Sequence, residues 1–230
     1  MKFIVEDTDK INLHIHTLYS DGLYDVDEII ACAIKEGVEC LSFTDHNVDE
    51  ARFEMRLRNL KRYNLKVIPG VELSVACEKK RLYLLDYNYN HMFAKIVIPK
   101  LRRLRNEGTP ISLEKARKLI HMFGGKAILA HPFKYNYDGK ELVNEVLNKN
   151  CIDGIECIHS YHTQEEIDYL LEICEKKDLF VSAGSDFHYM GKSVRNKGKQ
   201  DSLNELVGCN STIKEQVVRA KEKYNSKKKR

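Results

Sequence analysis

The stretch Ile11-Asn12-Leu13-His14-Ile15-His16 and the Asp21-Gly22 pair that follows it decide the fold prediction. Alternate positions are apolar, which is the period of a β-strand and places His14 and His16 on one face of that strand. Two imidazoles at this spacing can chelate one metal ion, and Gly22 lets the chain turn back so that Asp21 approaches the strand end. The same residues could also form a half-buried strand with two unrelated histidines and a turn aspartate.

The 230-residue chain continues with further strand-like apolar runs, and helical segments lie between most of them. These runs are Cys40–Thr44, Lys66–Leu73, Leu82–Tyr87, Lys126–His131, Gly154–His159 and Leu179–Ser185. Strands that alternate with helices predict an α/β fold with parallel strands and right-handed connections. Seven such units favour a β/α barrel, and an open doubly wound sheet is the alternative. In both folds the reactive face lies at the carboxyl ends of the strands.

Capping residues predict where several helices begin and end. Asp25 with Glu28, Ser112, and Thr163 with Glu166 are typical of helix starts. Glycines predict two ends: Gly37 after the first of these helices and Gly124-Gly125 after the second. Further helices are predicted over Asp49–Tyr63, within His91–Thr109 with Arg102, Arg103 and Arg105 exposed, and over Ser211–Tyr224.

Composition indicates one globular domain, predicted over residues 1–210, followed by a C-terminal helix and basic tail over 211–230. The hydrophobic content is 43%, and the chain contains no run of about 18 apolar residues, so we expect no membrane contact and a cytoplasmic location. The seven scattered cysteines form no CxxC pair and suit reduced, buried thiols. Much of the net charge of +4 lies in Lys227–Arg230, which is typical of a solvated, frayed tail. The oligomeric state is not predicted.

Side chains that bind metals recur where successive predicted strands end. They are His14, His16, His46, Glu72, His131, Asp186 and His188. Each of them alone has an ordinary structural explanation, but their common position favours a metal cluster, with Glu72 as the carboxylate shared between ions. Imidazole and carboxylate ligands without thiolates favour zinc, manganese or iron over calcium or magnesium.

The order of these motifs resembles the PHP (polymerase and histidinol phosphatase) family of phosphoesterases. The resemblance runs from about Ile11 to about Lys192. It rests on His14-x-His16, Ser20-Asp21-Gly22, Thr44-Asp45-His46, Pro69-Gly-Val-Glu72, Leu129-Ala-His131-Pro132 and Gly184-Ser-Asp186-x-His188.

The resemblance implies a distorted seven-stranded (β/α)7 barrel that carries two or three divalent ions, Mn, Zn or Fe, at the carboxyl ends of its strands. One ion would take His14, His16, Glu72 and Asp186, a second would take Asp21, His46 and His188, and a third would share Glu72 with His131. Where relatives supply a further histidine to the third ion, this chain has Tyr83 in Leu82-Tyr83-Leu84-Leu85. We therefore expect two firmly bound ions and a weak or absent third.

The expected activity is hydrolysis of a small phosphate monoester, such as a nucleotide, a sugar phosphate or a histidinol-phosphate-like compound, by a metal-bridged hydroxide. Asp186, His131 and Glu72 are the expected catalytic residues, and Asp186 would orient the nucleophile or accept its proton. Lys134, His162 and Arg195 are the candidates for substrate binding. His159 and His162 lie just beyond the sixth strand, and His162 could instead simply precede the Thr163 cap.

Three alternatives stay open. The first is a nuclease acting on polynucleotide ends, against which stands the lack of an aromatic–basic platform outside the tail. The second is a non-catalytic, metal-binding regulatory domain, which the Tyr83 departure keeps open. The third is an amidohydrolase-like barrel, but no lysine at a middle strand end suits carboxylation.

Overall fold

The computed structural model describes residues 1–48, 64–188 and 199–228, with side chains of the last helix described from 210 to 226. The predicted helix Asp49–Tyr63 and the candidate Arg195 lie outside the described residues. No helix among the residues described is long and apolar enough to cross a membrane.

The described ranges contain ten strands, which form two sheets. They are β1 (Lys2–Phe3), β2 (Ile11–Ile15), β3 (Cys40–Phe43), β4 (Lys66–Val67), β5 (Gly70–Cys77), β6 (Lys80–Tyr87), β7 (Ile111–Ser112), β8 (Lys126–Leu129), β9 (Gly154–His159) and β10 (Phe180–Gly184). The larger sheet has the order β1-β10-β9-β8-β6-β5-β7, and the smaller has the order β2-β3-β4. The α/β prediction is confirmed, but the seven-stranded barrel is not.

The described residues form six helices, of which five lie between strands, one follows the last strand, and the one over Gly139–Asn148 was not predicted individually. They are α1 (Val26–Lys35), α2 (Ile98–Asn106), α3 (Leu113–Met122), α4 (Gly139–Asn148), α5 (Gln164–Lys177) and α6 (Lys199–Lys228), and a π-helical turn over Phe93–Val97 leads into α2. The capping boxes at Asp25 and Thr163 are confirmed, as is the Ser112 cap. Gly37 and Gly124 follow α1 and α3 with positive φ, as a glycine after a helix should. Arg105, which we expected to be exposed, is half-buried.

The prediction of uniformly parallel strands is wrong for β6, which runs antiparallel to both β5 and β8. The connection from Cys77 to Lys80 is a tight turn in which Glu78 has a φ of 53°. So short a connection can join only antiparallel strands, because a parallel pair needs a long crossover. As a result, it is the amino end of β6, with Tyr83, that lies close to the carboxyl ends of its neighbours.

The predicted strand Lys66–Leu73 is split into two. Its first part, β4, pairs with β3 in the smaller sheet, and after Pro69 the chain enters β5 of the larger sheet. Glu72 therefore lies near the start of β5 rather than at a strand end. Two isolated bridges, Ile15 to Phe187 and His46 to Glu72, connect the sheets at the edge where the predicted ligands lie.

The core contains two clusters of buried apolar side chains. The larger includes Leu73, Leu84 and Ile128 of the larger sheet, and the smaller includes Leu41 of β3 and Ile29 of α1. The six cysteines whose side chains are described are free and buried, which agrees with the reduced thiols expected.

Candidate metal centre

The first strand supplies the centre of the site. His14 of β2 and His16, the residue directly after β2, are fully buried, and their Nε2 atoms each lie within 3.5 Å of Glu72 Oε2 and within 3.3 Å of Asp186 Oδ1. Gly184 of β10 allows this packing, because a Cβ there would lie 2.4 Å from the Cβ of His14. The expectation that both histidines share one strand face is therefore confirmed.

Asp21 reaches the site on the loop that follows β2. Gly22 allows the chain to double back, because a Cβ there would lie 2.5 Å from the carbonyl oxygen of His16. The Asp45 carboxylate holds the loop in place by accepting hydrogen bonds from the backbone and hydroxyl of Thr17 and from the Ser20 hydroxyl. Asp21 Oδ1 lies 3.1 Å from His188 Nε2, and its Oδ2 lies 3.5 Å from His46 Nε2.

Four imidazoles surround the Glu72 carboxylate. Its Oε2 lies 3.0 Å from His46 Nδ1, besides His14 and His16, and its Oε1 lies 3.0 Å from His131 Nε2. Burial opposes ionisation of this carboxyl, but the nearby histidines, His46 and His14 above all, hold its pKa well below the ordinary value. An ionised carboxylate whose two oxygens face different histidines suits the expected role of Glu72 as a ligand shared between two ions.

Asp186 presents two different sides. Its Oδ1 lies 3.2–3.3 Å from His14, His16 and His188, and its Oδ2 contacts the ammonium of Lys134. Burial opposes ionisation here too, but His14 and His16 hold the pKa of Asp186 well below its ordinary value. The φ of 53° at Asp186 is unusual for a non-glycine residue, and such strain is common at functional sites.

The donor atoms of this cluster can hold metal ions. His14 Nε2, His16 Nε2, His46 Nδ1, Glu72 Oε2 and Asp186 Oδ1 are all buried and have no hydrogen-bond partner among the described residues. Leaving buried polar atoms unpaired costs free energy unless something else binds them. The atoms converge, and imidazole with carboxylate is a donor set that suits zinc, manganese or iron.

Distances sort the donors of the described residues into three groups, two of which share His14, and within each group the ligand atoms lie within 4.8 Å of one another. The groups are His16 with Asp21, His46 and His188; His14 with Glu72, His131 and Asp186; and His14 with Glu156 and His159. The eight predicted ligands thus come together, although His16 groups with the second predicted set while also contacting Glu72 and Asp186. Glu156 and His159 were not among the predicted ligands.

Glu156 is a buried carboxylate of β9 behind the cluster. Its Oε1 accepts from His14 Nδ1 at 3.0 Å, and its Oε2 accepts from the backbone N–H of His131 at 2.9 Å. Burial opposes protonation of His14, but Glu156, Asp186 and Glu72 raise its pKa well above the ordinary value, so that a proton and a cation would compete for it. An acidic residue inside the apolar run Gly154–His159 was the sequence signal that could have identified Glu156.

Two of the three substrate-binding candidates, Lys134 and His162, belong to the described residues. The Lys134 ammonium contacts Asp186 and lies 5.6 Å from the centre of the Tyr161 ring. His162 is only 6% exposed, and its Nδ1 donates to the carbonyl of Cys157 at 3.0 Å. It also directly precedes the confirmed Thr163 cap of α5.

Tyr83 lies beside the cluster, as the sequence comparison placed it. Its ring centre is 5.1 Å from that of His46 and 6.0 Å from that of His131. Burial, together with the nearby Glu72, raises the pKa of this phenol above its ordinary value. Tyr83 is therefore a neutral neighbour of His131 rather than a ready anionic ligand.

Comparison with known proteins identifies the arrangement. A family model described as the PHP domain matches residues 12–183. A 5'-3' exoribonuclease of Haemophilus influenzae is 23% identical over 254 residues, spanning 79% of this chain and 91% of that protein. A 3',5'-nucleoside bisphosphate phosphatase of Chromobacterium violaceum is 32% identical over 95 residues, spanning 40% of this chain and 33% of that protein.

The fold is also similar to a solved structure from Bifidobacterium adolescentis that is described as a candidate metal-dependent phosphoesterase. The TM-score is 0.64 at 18% identity, over 87% of this chain and 96% of that one. This likeness concerns the fold alone.

Proposed function

Because the chain belongs to the PHP domain family of metal-dependent phosphoesterases, which are hydrolases, we propose that it hydrolyses a small phosphate monoester. The observation that carries this proposal is the convergence of unpaired, buried imidazole and carboxylate atoms on Glu72 Oε2 and Asp186 Oδ1. A nucleotide is the substrate we favour within this class, because the bisphosphate phosphatase of Chromobacterium violaceum acts on one.

The ions would be held by the residues that already converge. We propose His14, His16, Glu72 and Asp186 for one ion, Asp21, His46 and His188 for a second, and a shared Glu72 with His131 for a weak third. Such ions, when bound, lower the pKa of bound water and offset the negative charge of the phosphate.

The remaining catalytic tasks belong to the protein. The Asp186 carboxylate contacts His14 and His16 through Oδ1 and Lys134 through Oδ2, and we propose that its Oδ2 orients the nucleophile or accepts its proton when substrate draws Lys134 away. The Lys134 ammonium lies at that same oxygen, where it can neutralise charge that develops on the phosphate. His131 and Glu72 complete the proposed catalytic set, and Arg195 and His162 stay candidates for substrate contacts.

The experiment is a phosphatase screen of the full chain with manganese, zinc and iron in parallel. It covers mononucleotides, nucleoside bisphosphates, sugar phosphates, histidinol phosphate and short oligonucleotides. His46→Ala and Asp186→Ala should each lower turnover by several orders of magnitude with the fold intact by circular dichroism. His91→Ala is the matched control, because His91 is exposed and outside the cluster. Near-normal rates in folded His46→Ala or Asp186→Ala would refute the assignment.

A second candidate is a 5'-3' exoribonuclease, which the match across 91% of the Haemophilus influenzae enzyme favours. It predicts successive release of mononucleotides from a single-stranded RNA, with binding that weakens as salt increases. Turnover of mononucleotide phosphates without any digestion of oligonucleotides would exclude this candidate and retain the first.

A further inference from the structure

The tautomers of the site histidines differ, and the difference separates their roles. A neutral imidazole has one nitrogen that carries a proton and one that keeps a lone pair for a metal ion. His14 donates from Nδ1 to the Glu156 carboxylate, and His188 donates from Nδ1 to the backbone oxygen of Asp186, both at 3.0 Å. In the neutral form of each residue, the Nε2 lone pair is therefore the one that faces the cluster.

His159 has the opposite arrangement. The backbone N–H of Tyr161 donates to Nδ1 of His159 at 3.2 Å, so Nδ1 holds the lone pair and Nε2 carries the proton. That Nε2 is buried and has no hydrogen-bond partner among the described residues. The nearest acceptor recorded for it, Asp186 Oδ2, lies 4.0 Å away, which is beyond hydrogen-bond distance.

The environment of this N–H is suited to an anion. Lys134 contacts the same Oδ2 atom that His159 approaches, so a cation and an unused donor lie on one side of Asp186. Tyr161, 61% exposed, lies over this side with its ring 5.7 Å from that of His159. The Lys134 side chain is 41% exposed, so both Lys134 and Tyr161 border solvent.

We propose that His159 donates a hydrogen bond from Nε2 to an oxygen of the substrate phosphate, beside Lys134, and is not a metal ligand. The proposal rests on the proposed phosphoesterase function and adds a substrate-binding residue to it. Although His159 lies within 4.8 Å of His14 and Glu156 donor atoms, ligation through Nε2 would require its proton to leave and Nδ1 to face the Tyr161 N–H with a hydrogen of its own.

Two substitutions in the full chain test the role. His159→Phe keeps the ring and removes the donor, whereas His159→Gln keeps a side-chain N–H. In zinc-loaded protein, His159→Phe should retain the parent's zinc content by elemental analysis and bind inorganic phosphate about tenfold to a hundredfold more weakly by calorimetry. His159→Gln should recover part of that binding, and the exposed control His91→Phe should match the parent.

Loss of a zinc ion in His159→Phe would show that His159 is a ligand and overturn the proposal. Unchanged phosphate affinity in that variant would also overturn the proposal, because it would show that His159 makes no contact with phosphate. If the parent binds phosphate yet hydrolyses none of the substrates tested, the proposed function fails while the His159 contact stands.

A measurement on the unmodified protein covers the case in which the variants do not fold. Nitrogen NMR of histidine-labelled, zinc-loaded protein reports which ring nitrogen carries the proton. We expect a protonated Nε2 for His159 and a protonated Nδ1 for His14 and His188. A protonated Nδ1 with a bare Nε2 at His159 would refute the proposal.

Discussion

Among single residues, Glu156 contacts two candidate ligands, and we expect it to orient both of them. It accepts from the His14 ring and from the His131 backbone, and it is fully buried. Glu156→Gln should lower metal affinity about tenfold to a hundredfold, because the amide is a weaker acceptor and can present its NH₂ to His14. Competition with a fluorescent chelator measures this, and the exposed Glu165→Gln is the control. An unchanged affinity would show that Glu156 only supports the fold.

Tyr83 is the residue on which the number of ions depends. An unperturbed tyrosine keeps its proton until a pH of about 10, and burial raises the pKa of Tyr83 further, so the phenol is a poor ligand. Tyr83→Ala should change metal content little, whereas Tyr83→His should raise it from two ions towards three, since an imidazole needs to lose no proton. Elemental analysis with the anomalous signal of a crystal decides this. Three fully occupied sites in the unmodified chain would contradict the prediction.

The eight ligand candidates could be predicted from sequence because each belongs to a short motif at or near a strand boundary. Glu156 and the tautomer of His159 could not, because both depend on which backbone groups face them after the sheet has formed. Asp45 was predicted in part: the sequence shows its motif Thr44-Asp45-His46, but the contacts of its carboxylate with the loop of Asp21 appear only in the structure.

Among the secondary-structure elements, the relative direction of paired strands was predicted correctly for pairs joined by a helical crossover. Helical crossovers fix parallel pairs such as β8 with β9, and these follow from alternation of strand and helix. The antiparallel β5–β6 hairpin depended on the turn at Glu78, which carries no Asn-Gly or Asp-Gly signal. The short β1 and β7 have too few residues to show a period.

Asp86 of β6 gives a pH-dependent prediction at this scale. Its carboxyl is buried, and burial raises its pKa well above the ordinary value although the backbone of Lys126 at this site favours the ionised form. The folded state therefore holds this proton more tightly than the unfolded state, and stability is lost as pH rises above the ordinary carboxyl pKa.

Asp86→Asn should accordingly raise Tm relative to the parent at pH 7, and the difference should shrink towards pH 4 and below. Thermal unfolding at several pH values measures it, with Asp168→Asn on α5 as a control. A Tm difference that does not vary with pH would show that Asp86 is not the titrating group.

The last prediction concerns the whole molecule. The predicted domain boundary at residue 210 would make residues 211–230 a separable appendage. Helix α6 packs against α1, β2, β9 and β10, and Ile213, Val217 and Ala220 are buried. Asn12 of the metal-site strand donates to Asn210 Oδ1 at 2.8 Å, which ties the helix to β2.

Removing 211–230 should therefore destabilise the entire domain, because these apolar side chains contribute roughly 4–7 kcal/mol of burial, against a total of about 5–15 kcal/mol for a typical domain. Deleting only Lys227–Arg230 should leave Tm and small-substrate turnover unchanged, since the buried side chains Ile213, Val217 and Ala220 all remain. Thermal unfolding and phosphatase assays of the two truncations give the comparison. If the 1–210 chain kept the parent's Tm and activity, residues 211–230 would be a separable appendage. If removing the last four residues abolished mononucleotide turnover, the tail would be part of the substrate pocket.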